Sequence, residues 1–203
     1  SDGLYPCFAP NTRYVFPPWA SCGWTDAGIL IPYRLWKWYG RSEIVETSWA
    51  SMKKYMDFLE SDNEPYRINH GDWLAFEHTL KKADGTTRES PDRKQVLLLN
   101  AAFRVWMAEL MREMAEATDR KDEIRHFADE AVRLRAAFAK VYIGEDGCLK
   151  KEYEGQCNDL YVLMLDLCSS AAAVETTKRH LIADIRTHGD RLQTGFLGTA
   201  ILM

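Results

Sequence analysis

Hydrophobic residues recur along this chain at steps of three and four positions, which is the spacing of one face of an α-helix. Six segments follow this rule. They run from Asp26 to Tyr39, from Ser42 to Glu60, from Ser90 to Met114, from Asp122 to Val141, over 157–168 and over 171–187. A last apolar piece begins at Gly195, and the pattern contains no convincing pair of strands. The predicted fold class is therefore all-α.

Single residues indicate where these helices begin and end. Asp26, Ser42 and Ser90 precede apolar runs and are predicted N-caps, because their side-chain oxygens can accept a bond from the first backbone N–H groups of a helix. Gly40 should end the first helix, since glycine readily adopts the left-handed conformation of a helix C-terminus. Pro32 is expected to bend that helix or to delay its start.

The connections and the polarity of the helices add a prediction about architecture. Residues 1–25 contain four prolines and are predicted to be irregular, and 61–90 form a long polar connection of the kind that often carries function. The segment 157–168 is apolar nearly all round, whereas 171–187 has one polar face. Alternating buried and half-exposed helices in antiparallel pairs predict an inner and an outer ring. A helical solenoid would show similar patterning, but the chain has no internal repeat.

Composition excludes several classes of protein. The 203 residues are 46% hydrophobic and 12% aromatic, which is enough for a packed core and excludes disorder. A net charge of −4 argues against a nucleic-acid partner, and no apolar run reaches the roughly 18 residues of a membrane span. The five cysteines form no Cys-x-x-Cys pair, the five histidines show no ligand spacing, and no glycine loop would cradle a phosphate. We therefore expect neither a metal site nor a cofactor.

Two segments carry candidate chemistry. Six of the seven tryptophans lie between Trp19 and Trp73, and the segments around Trp24-Thr25-Asp26 and Asp72-Trp73 each place a carboxylate close to an indole. Aromatic faces suit the C–H faces of sugars, and a carboxylate accepts hydrogen bonds from vicinal hydroxyls, so both segments are candidate carbohydrate sites. A helix cap or turn with core tryptophans would use the same residue types, and this alternative stays open.

Two other segments give weaker signals. The run 193–199 contains Gly195 and Gly198, which could let backbone approach a ligand or could form an ordinary tight turn. Gln156 and Asp159 stand at the beginning of the buried helix, where their spacing alone indicates no specific chemistry.

Several segments, in this order, together resemble one family. They are Tyr5-Pro6 to Ala9-Pro10, Gly23-Trp24-Thr25-Asp26-Ala27-Gly28 leading into Ile31-Pro32, Tyr39-Gly40, the helix SEIVETSWASMKKYMDFL, Gly71-Asp72-Trp73-Leu74, Gln156, and Thr194 to Thr199. The ordered set resembles the bacterial α-L-rhamnosidases, which are glycoside hydrolases with an (α/α)6 barrel. The resemblance covers nearly the whole chain and agrees with the two-ring helical interpretation.

The resemblance implies a fold, an activity and a set of contacts. The fold would be antiparallel helical hairpins that form part of an (α/α)6 barrel. The activity would be hydrolysis of terminal α-L-rhamnosides with inversion, by a general acid and a general base about 6.5–9.5 Å apart. Trp24, Asp26, Asp72 and Trp73 would be the substrate-binding residues, and the partner would be a rhamnose-containing glycoside.

The catalytic carboxylates of the family have no match in this sequence. The family's general acid is a glutamate in a D-x-x-x-x-E motif, closely followed by Gly-Trp-x-Gly-Asp. No acidic residue lies between Asp2 and Asp26, and GWTDAG lacks the glycine before its aspartate. The resemblance therefore implies that the acid precedes Ser1 and that the base follows Met203. Residues 1–203 are expected to be a catalytic domain truncated at both ends, inactive alone and prone to self-association through unpartnered helix faces.

Two alternatives are retained beside this interpretation. One is a helical-repeat interaction module with no catalytic role, and the other is an (α/α)6 glycosidase that acts on a different sugar. The odd number of cysteines slightly favours a reducing compartment, but the sequence is compatible with both the cytoplasm and the periplasm.

Overall fold

The computed structural model describes residues 3–7, 21–61, 71–75, 79–81, 87–91 and 93–202. These residues contain seven α-helices, a short 3-10 helix and one pair of strands. The helices are α1 (Ala27–Tyr39), α2 (Glu43–Ser61), α3 (Arg93–Ala117), α4 (Lys121–Tyr142), α5 (Gln156–Met164), α6 (Ala171–Thr187) and α7 (Phe196–Leu202). The all-α prediction is confirmed, and each of the six predicted helices has its counterpart.

The strand pair corrects one expectation. Strands β1 (Thr79–Lys81) and β2 (Thr87–Pro91) pair antiparallel inside the connection that was predicted to lack strands, with Thr79 opposite Pro91 and Lys81 opposite Thr87. The pair is short and has a shift in register. Three to five residues are too few for an alternating pattern to stand out from a polar loop. The hairpin is therefore a minor addition to a helical fold.

The ends of α1 and α5 show where local signals succeed and fail. Gly40 adopts the left-handed conformation, with φ 67°, and its N–H bonds the Trp36 carbonyl, so the predicted end of α1 is confirmed. Pro32 lies inside α1 and does not delay its start. Helix α5 ends at Met164, short of the predicted residue 168, and Asp166 next adopts the left-handed conformation with φ 51°.

The chain divides into two compact units. The first contains Ser1–Asn69 and Phe103–Leu134, and the second contains His70–Ala102 and Arg135–Met203. In the first unit, α1 and α2 form a hairpin, and Trp49 of α2 meets Phe127 of α4 edge to face at a centroid distance of 6.2 Å. Edge-to-face contact is the favourable geometry for aromatic quadrupoles and stabilises this core beyond simple burial.

The second unit is organised around α5. This helix packs on α6 and α7, and it is buried along most of its length, as its apolar sequence predicts. Ser170 caps α6, because its hydroxyl accepts a hydrogen bond from the Ala173 N–H at 3.1 Å. In the part of the chain described by the structure, no helix is long and apolar enough to span a bilayer.

Candidate functional site

The first tryptophan-aspartate segment is held by a buried hydrogen-bond network. The Asp26 carboxylate is fully buried at the start of α1. Its Oδ2 accepts the Gly23 N–H at 2.6 Å, and its Oδ1 accepts the Tyr55 hydroxyl at 2.8 Å. The Thr25 hydroxyl lies 2.7 Å from the Tyr55 oxygen. The turn that carries Trp24 is therefore closed by Asp26 and joined to helix α2 through Tyr55.

This network corrects the expected capping role of Asp26. The residue occupies the N-cap position of α1, but its backbone is helical and its side chain makes no capping bond. Its carboxylate points instead to Tyr55, which is fully buried. A buried carboxylate needs such donors, because an unpaired charge inside a protein is costly. Asp26 thus orients the turn. Trp24 is partly exposed, so of these two residues only Trp24 has surface that a ligand could contact.

Tyr5 contacts two residues of the segments that resemble the family, Gly28 and Ser51. Its ring lies against Gly28, where a Cβ would come within 2.1 Å of the ring, so only glycine fits there. The Tyr5 hydroxyl donates to Ser51 Oγ at 2.8 Å, and its ring lies 5.1 Å from that of Tyr55. The start of the chain is in this way packed against the turn that holds Asp26.

The second segment is organised by Asp72, which is 1% exposed. Its Oδ2 accepts the N–H groups of Gly195 and Gly198, both at 2.9 Å, and its Oδ1 accepts the Leu197 N–H at 2.7 Å. The Cys157 thiol lies 3.4 Å from the same Oδ2. A negatively charged carboxylate is favourable at the start of α7, since the first N–H groups of a helix carry partial positive charge. Asp72 therefore caps α7 from a distant part of the chain.

The two glycines of segment 193–199 make this contact sterically feasible. A Cβ at Gly195 would lie 2.2 Å from the Trp73 carbonyl oxygen and 2.5 Å from that of Asp72. A Cβ at Gly198 would lie 2.5 Å from Asp72 Oδ2. All three distances are shorter than any normal contact, so Gly195 permits a close approach of two backbones and Gly198 permits the approach of the Asp72 carboxylate. This segment therefore packs against the Asp72 turn, and the approach of its backbone to a ligand stays a prediction.

The Asp72 turn presents an exposed aromatic pair, formed by Trp73 and Phe196. Their rings stack at 15° with centroids 5.5 Å apart, and the side chains are 46% and 57% exposed. The Phe196 N–H also bonds the Trp73 carbonyl at 2.9 Å. Leu74 follows with φ 70°, a strained value for a residue with a side chain. Strain of this kind persists where surrounding contacts enforce it, and it is concentrated at functional sites.

Gln156 supports the same region from α5. Its side chain is fully buried, with Oε1 accepting the Gln193 N–H at 2.9 Å and Nε2 donating to the Arg191 carbonyl at 3.3 Å. The segment before α7 is thereby fixed on one side by Gln156 and on the other by Asp72. Asp159 is also buried, at 2% exposure.

The predicted site residues thus fall into two groups. Trp24 and Asp26 belong to the first unit, and Asp72 and Trp73 belong to the second. Within each unit an aspartate is buried and its neighbouring tryptophan retains exposed surface. Sequence reasoning missed Tyr55 and Phe196, whose partners are distant in the chain. Among the described residues, no group of three histidine, cysteine or acidic side chains is arranged to hold a metal ion.

The chain is similar to several known proteins. It is 28% identical to an α-L-rhamnosidase of Alteromonas sp. (strain LOR) over 204 residues, which cover 99% of this chain and 21% of that protein. It is 27% identical to an α-L-rhamnosidase of Streptomyces avermitilis over 207 residues, which cover 100% of this chain and 18% of that protein. The chain therefore spans about a fifth of the length of these curated relatives.

Solved structures give the same result at the level of fold. The Streptomyces avermitilis α-L-rhamnosidase complexed with L-rhamnose aligns with a TM-score of 0.77 and 26% identity, covering 100% of this chain and 18% of that one. The native α-L-rhamnosidase of Aspergillus terreus aligns with a TM-score of 0.80 over 99% of this chain and 23% of that one. At 19% identity, this second match bears on the fold alone.

The sequence model of one family covers the whole chain. It describes the six-hairpin glycosidase domain of bacterial α-L-rhamnosidases and matches residues 1–203. A domain of six hairpins is what the predicted (α/α)6 barrel requires, so the expected architecture and the expected family are both confirmed. The chain belongs to the bacterial α-L-rhamnosidase six-hairpin glycosidase domain family.

Proposed function

We propose that this chain forms sugar-binding surface of a catalytic domain that hydrolyses terminal α-L-rhamnosides with inversion. The observation that carries the proposal is the exposed pair of Trp73 and Phe196, fixed by the buried Asp72 in a chain of this family. A protein related at 26% identity is solved with L-rhamnose bound, which supports rhamnose as the ligand. Rhamnose is a 6-deoxy sugar, and its methyl group and C–H faces suit an aromatic surface.

The four predicted site residues take two different roles in this proposal. Trp24 in the first unit and Trp73 in the second each offer a surface for sugar, because each retains exposed surface. Asp26 and Asp72 act as positioning residues, because each is fully or almost fully buried and bonded to donors of the chain itself. The carboxylates then serve binding through the turns that they hold.

The same burial bears on catalysis. An inverting glycosidase needs one carboxyl group that protonates the leaving oxygen and another that activates a water. Asp72 accepts three backbone N–H groups, and Asp26 accepts a hydroxyl and an N–H, so neither is arranged to exchange protons with a substrate. Since the acid motif that the family resemblance implies has no match in this sequence, we assign the catalytic pair to parts of the protein outside residues 1–203. This chain is then one part of the catalytic domain and is inactive alone.

Binding of L-rhamnose tests the proposal directly. We expect L-rhamnose to change the tryptophan fluorescence of the chain, and Trp73→Ala to weaken binding roughly thirtyfold, which corresponds to about 2 kcal/mol for loss of a buried aromatic contact. Phe196→Ala should have a similar effect. Trp38→Ala, compared with the wild type at a concentration where both are monomeric, is the matched control, because Trp38 is 70% exposed on α1 and lies outside both segments.

The outcomes separate the alternatives. A folded chain that binds another sugar but not L-rhamnose would point to an (α/α)6 glycosidase of different specificity. A folded chain with no affinity for any sugar would leave the helical interaction module. Release of the aryl alcohol from an aryl α-L-rhamnoside by this chain would overturn the assignment of the catalytic pair, while leaving the sugar-binding proposal in place.

A further inference from the structure

Two loops of the second unit come into direct contact beside a pair of cysteines. The Ser169 N–H donates to the Gly147 carbonyl at 3.3 Å, which joins the loop after α4 to the loop before α6. Gly147 permits this contact, since a Cβ there would lie 2.1 Å from Ser169 Oγ. Cys148 and Cys168 are the residues next to this hydrogen bond, one on each loop. Their backbones are therefore held close together.

The two thiols also lie against the same turn of helix α6. Cys148 Sγ donates to the Ala173 carbonyl at 3.7 Å, and Cys168 Sγ lies 3.6 Å from Thr177 Oγ1. Residues 173 and 177 are four apart in one helix and are neighbours on one face. The Thr177 hydroxyl also acts on the Cys148 thiol, whose pKa it lowers against the larger effect of burial. Both side chains thus converge on one hydroxyl.

We propose that Cys148 and Cys168 are a latent disulfide pair, which a small-molecule disulfide converts to an intramolecular bond. The backbone hydrogen bond beside both residues and their shared neighbour Thr177 bring the two cysteines together, and a disulfide requires short Cα and Cβ separations of this kind.

The chemistry runs by thiol–disulfide exchange. Cys168 is partly exposed and Cys148 is 2% exposed, so Cys168 meets the oxidant first. The Cys168 thiolate attacks one sulfur of oxidised glutathione, forms a mixed disulfide and releases one glutathione thiolate. The Cys148 thiolate then attacks the Cys168 sulfur and releases the second glutathione. The two thiol protons pass to the two released thiolates, and oxidised glutathione takes the two electrons.

The burial of the two thiols makes this exchange slow. Burial raises the pKa of both thiols, so little thiolate is present at neutral pH and the bond should form faster as the pH rises. The closed loop of about 20 residues contains α5, which carries Gln156 and Cys157. The bond would restrict the unfolded chain, and we expect the midpoint of thermal unfolding to rise by about 5 °C.

Peptide mapping tests the proposal on the intact chain. The protein is incubated with oxidised glutathione, remaining thiols are alkylated, and the digest is analysed by mass spectrometry. We expect a linked pair of peptides that contains Cys148 and Cys168 and is two hydrogen atoms lighter than the reduced pair. Cys157 is fully buried against Asp72 and should stay a thiol, which makes it an internal control.

Two variants and one stability measurement complete the test. Cys148→Ser should leave Cys168 as a stable glutathione adduct and abolish the thermal shift, whereas Cys7→Ser should leave both linkage and shift unchanged, because Cys7 belongs to the first unit. The inference is overturned if the folded wild-type chain keeps both cysteines as thiols while the denatured chain oxidises. It is also overturned if Cys168 stops at the mixed disulfide in the wild-type chain.

Discussion

At the scale of single residues, Asp72 does the most to position the aromatic pair, because one carboxylate accepts three backbone N–H groups at the start of α7. Asp72→Asn keeps the size of the side chain but turns an NH2 group toward backbone donors. We expect the free energy of unfolding to fall by about 2 kcal/mol, as for other buried polar groups that lose a partner. Chemical denaturation monitored by circular dichroism measures this change.

Asp129→Asn is the matched control for that substitution. The Asp129 side chain is 77% exposed on α4, so the same chemical change there should alter stability by less than about 0.5 kcal/mol. Equal stability of the Asp72→Asn variant and the wild type would contradict the capping role.

Glu130 gives a prediction about pH. Its side chain is 6% exposed, and burial, followed by the nearby Glu60, raises its pKa above the ordinary 4.5, although Arg133, His126 and Arg104 act in the opposite direction. Because the folded state favours protonated Glu130, its contribution to stability is fully present below pH 4.5. That contribution is lost as the pH rises through the raised folded pKa.

The variant Glu130→Gln removes this titration. Its stability relative to the wild type should increase from about pH 4 to about pH 7, by about 1.4 kcal/mol for each unit by which the pKa is raised. Urea denaturation at both pH values measures the difference. A difference that stays constant with pH, or one that shrinks toward neutral pH, would show that burial does not dominate at Glu130.

At the scale of elements, helix propensity and side-chain packing favour different residues at position 198 of helix α7. Gly198 lies inside α7, and alanine is favoured over glycine in a helix by about 1 kcal/mol. A Cβ at this position would lie 2.5 Å from Asp72 Oδ2, so we expect Gly198→Ala to destabilise the chain by about 2 kcal/mol. Thermal unfolding of the two single variants and of the double variant Asp72→Ala/Gly198→Ala measures the coupling.

The double variant decides which effect dominates. Without the Asp72 side chain the clash at Oδ2 is gone and only the contacts with Thr194 at 3.1 and 3.2 Å remain, so Gly198→Ala should be much less destabilising in that background. Additive effects of the two substitutions would mean that Gly198 is required for a reason other than its contact with Asp72.

The elements also show how far sequence reasoning reaches. Helical periodicity predicted the helices, and Gly40 predicted the C-terminal end of α1. Both signals can be read from the sequence because they depend on neighbours three or four residues apart. The partners of Asp26 and Asp72 could not be predicted in this way. Tyr55 lies 29 residues after Asp26, and Gly195 lies 123 residues after Asp72. Local spacing indicated these two segments as candidates, but tertiary contacts decide that their carboxylates accept bonds from the chain itself.

At the scale of the whole molecule, the chain spans about a fifth of its curated relatives, and helix α1 carries exposed apolar surface. Ile31 is 57% exposed, Trp38 is 70% exposed and Tyr39 is 68% exposed. Ile31 and Trp38 are seven residues apart, two turns along one side of the helix. Exposed apolar stripes of this kind drive association, so the expected self-association of the isolated chain remains a prediction.

Sedimentation velocity at low micromolar concentration tests it. Burying an indole is worth about 3 kcal/mol, so Trp38→Ser should weaken self-association roughly a hundredfold and shift the chain toward monomer. Val132→Ser is the control, because Val132 is 69% exposed on α4 and lies outside this stripe. A wild-type chain that sediments as a monomer would contradict the prediction. Equal effects of the two substitutions would show that association depends on general hydrophobicity and that α1 is not its interface.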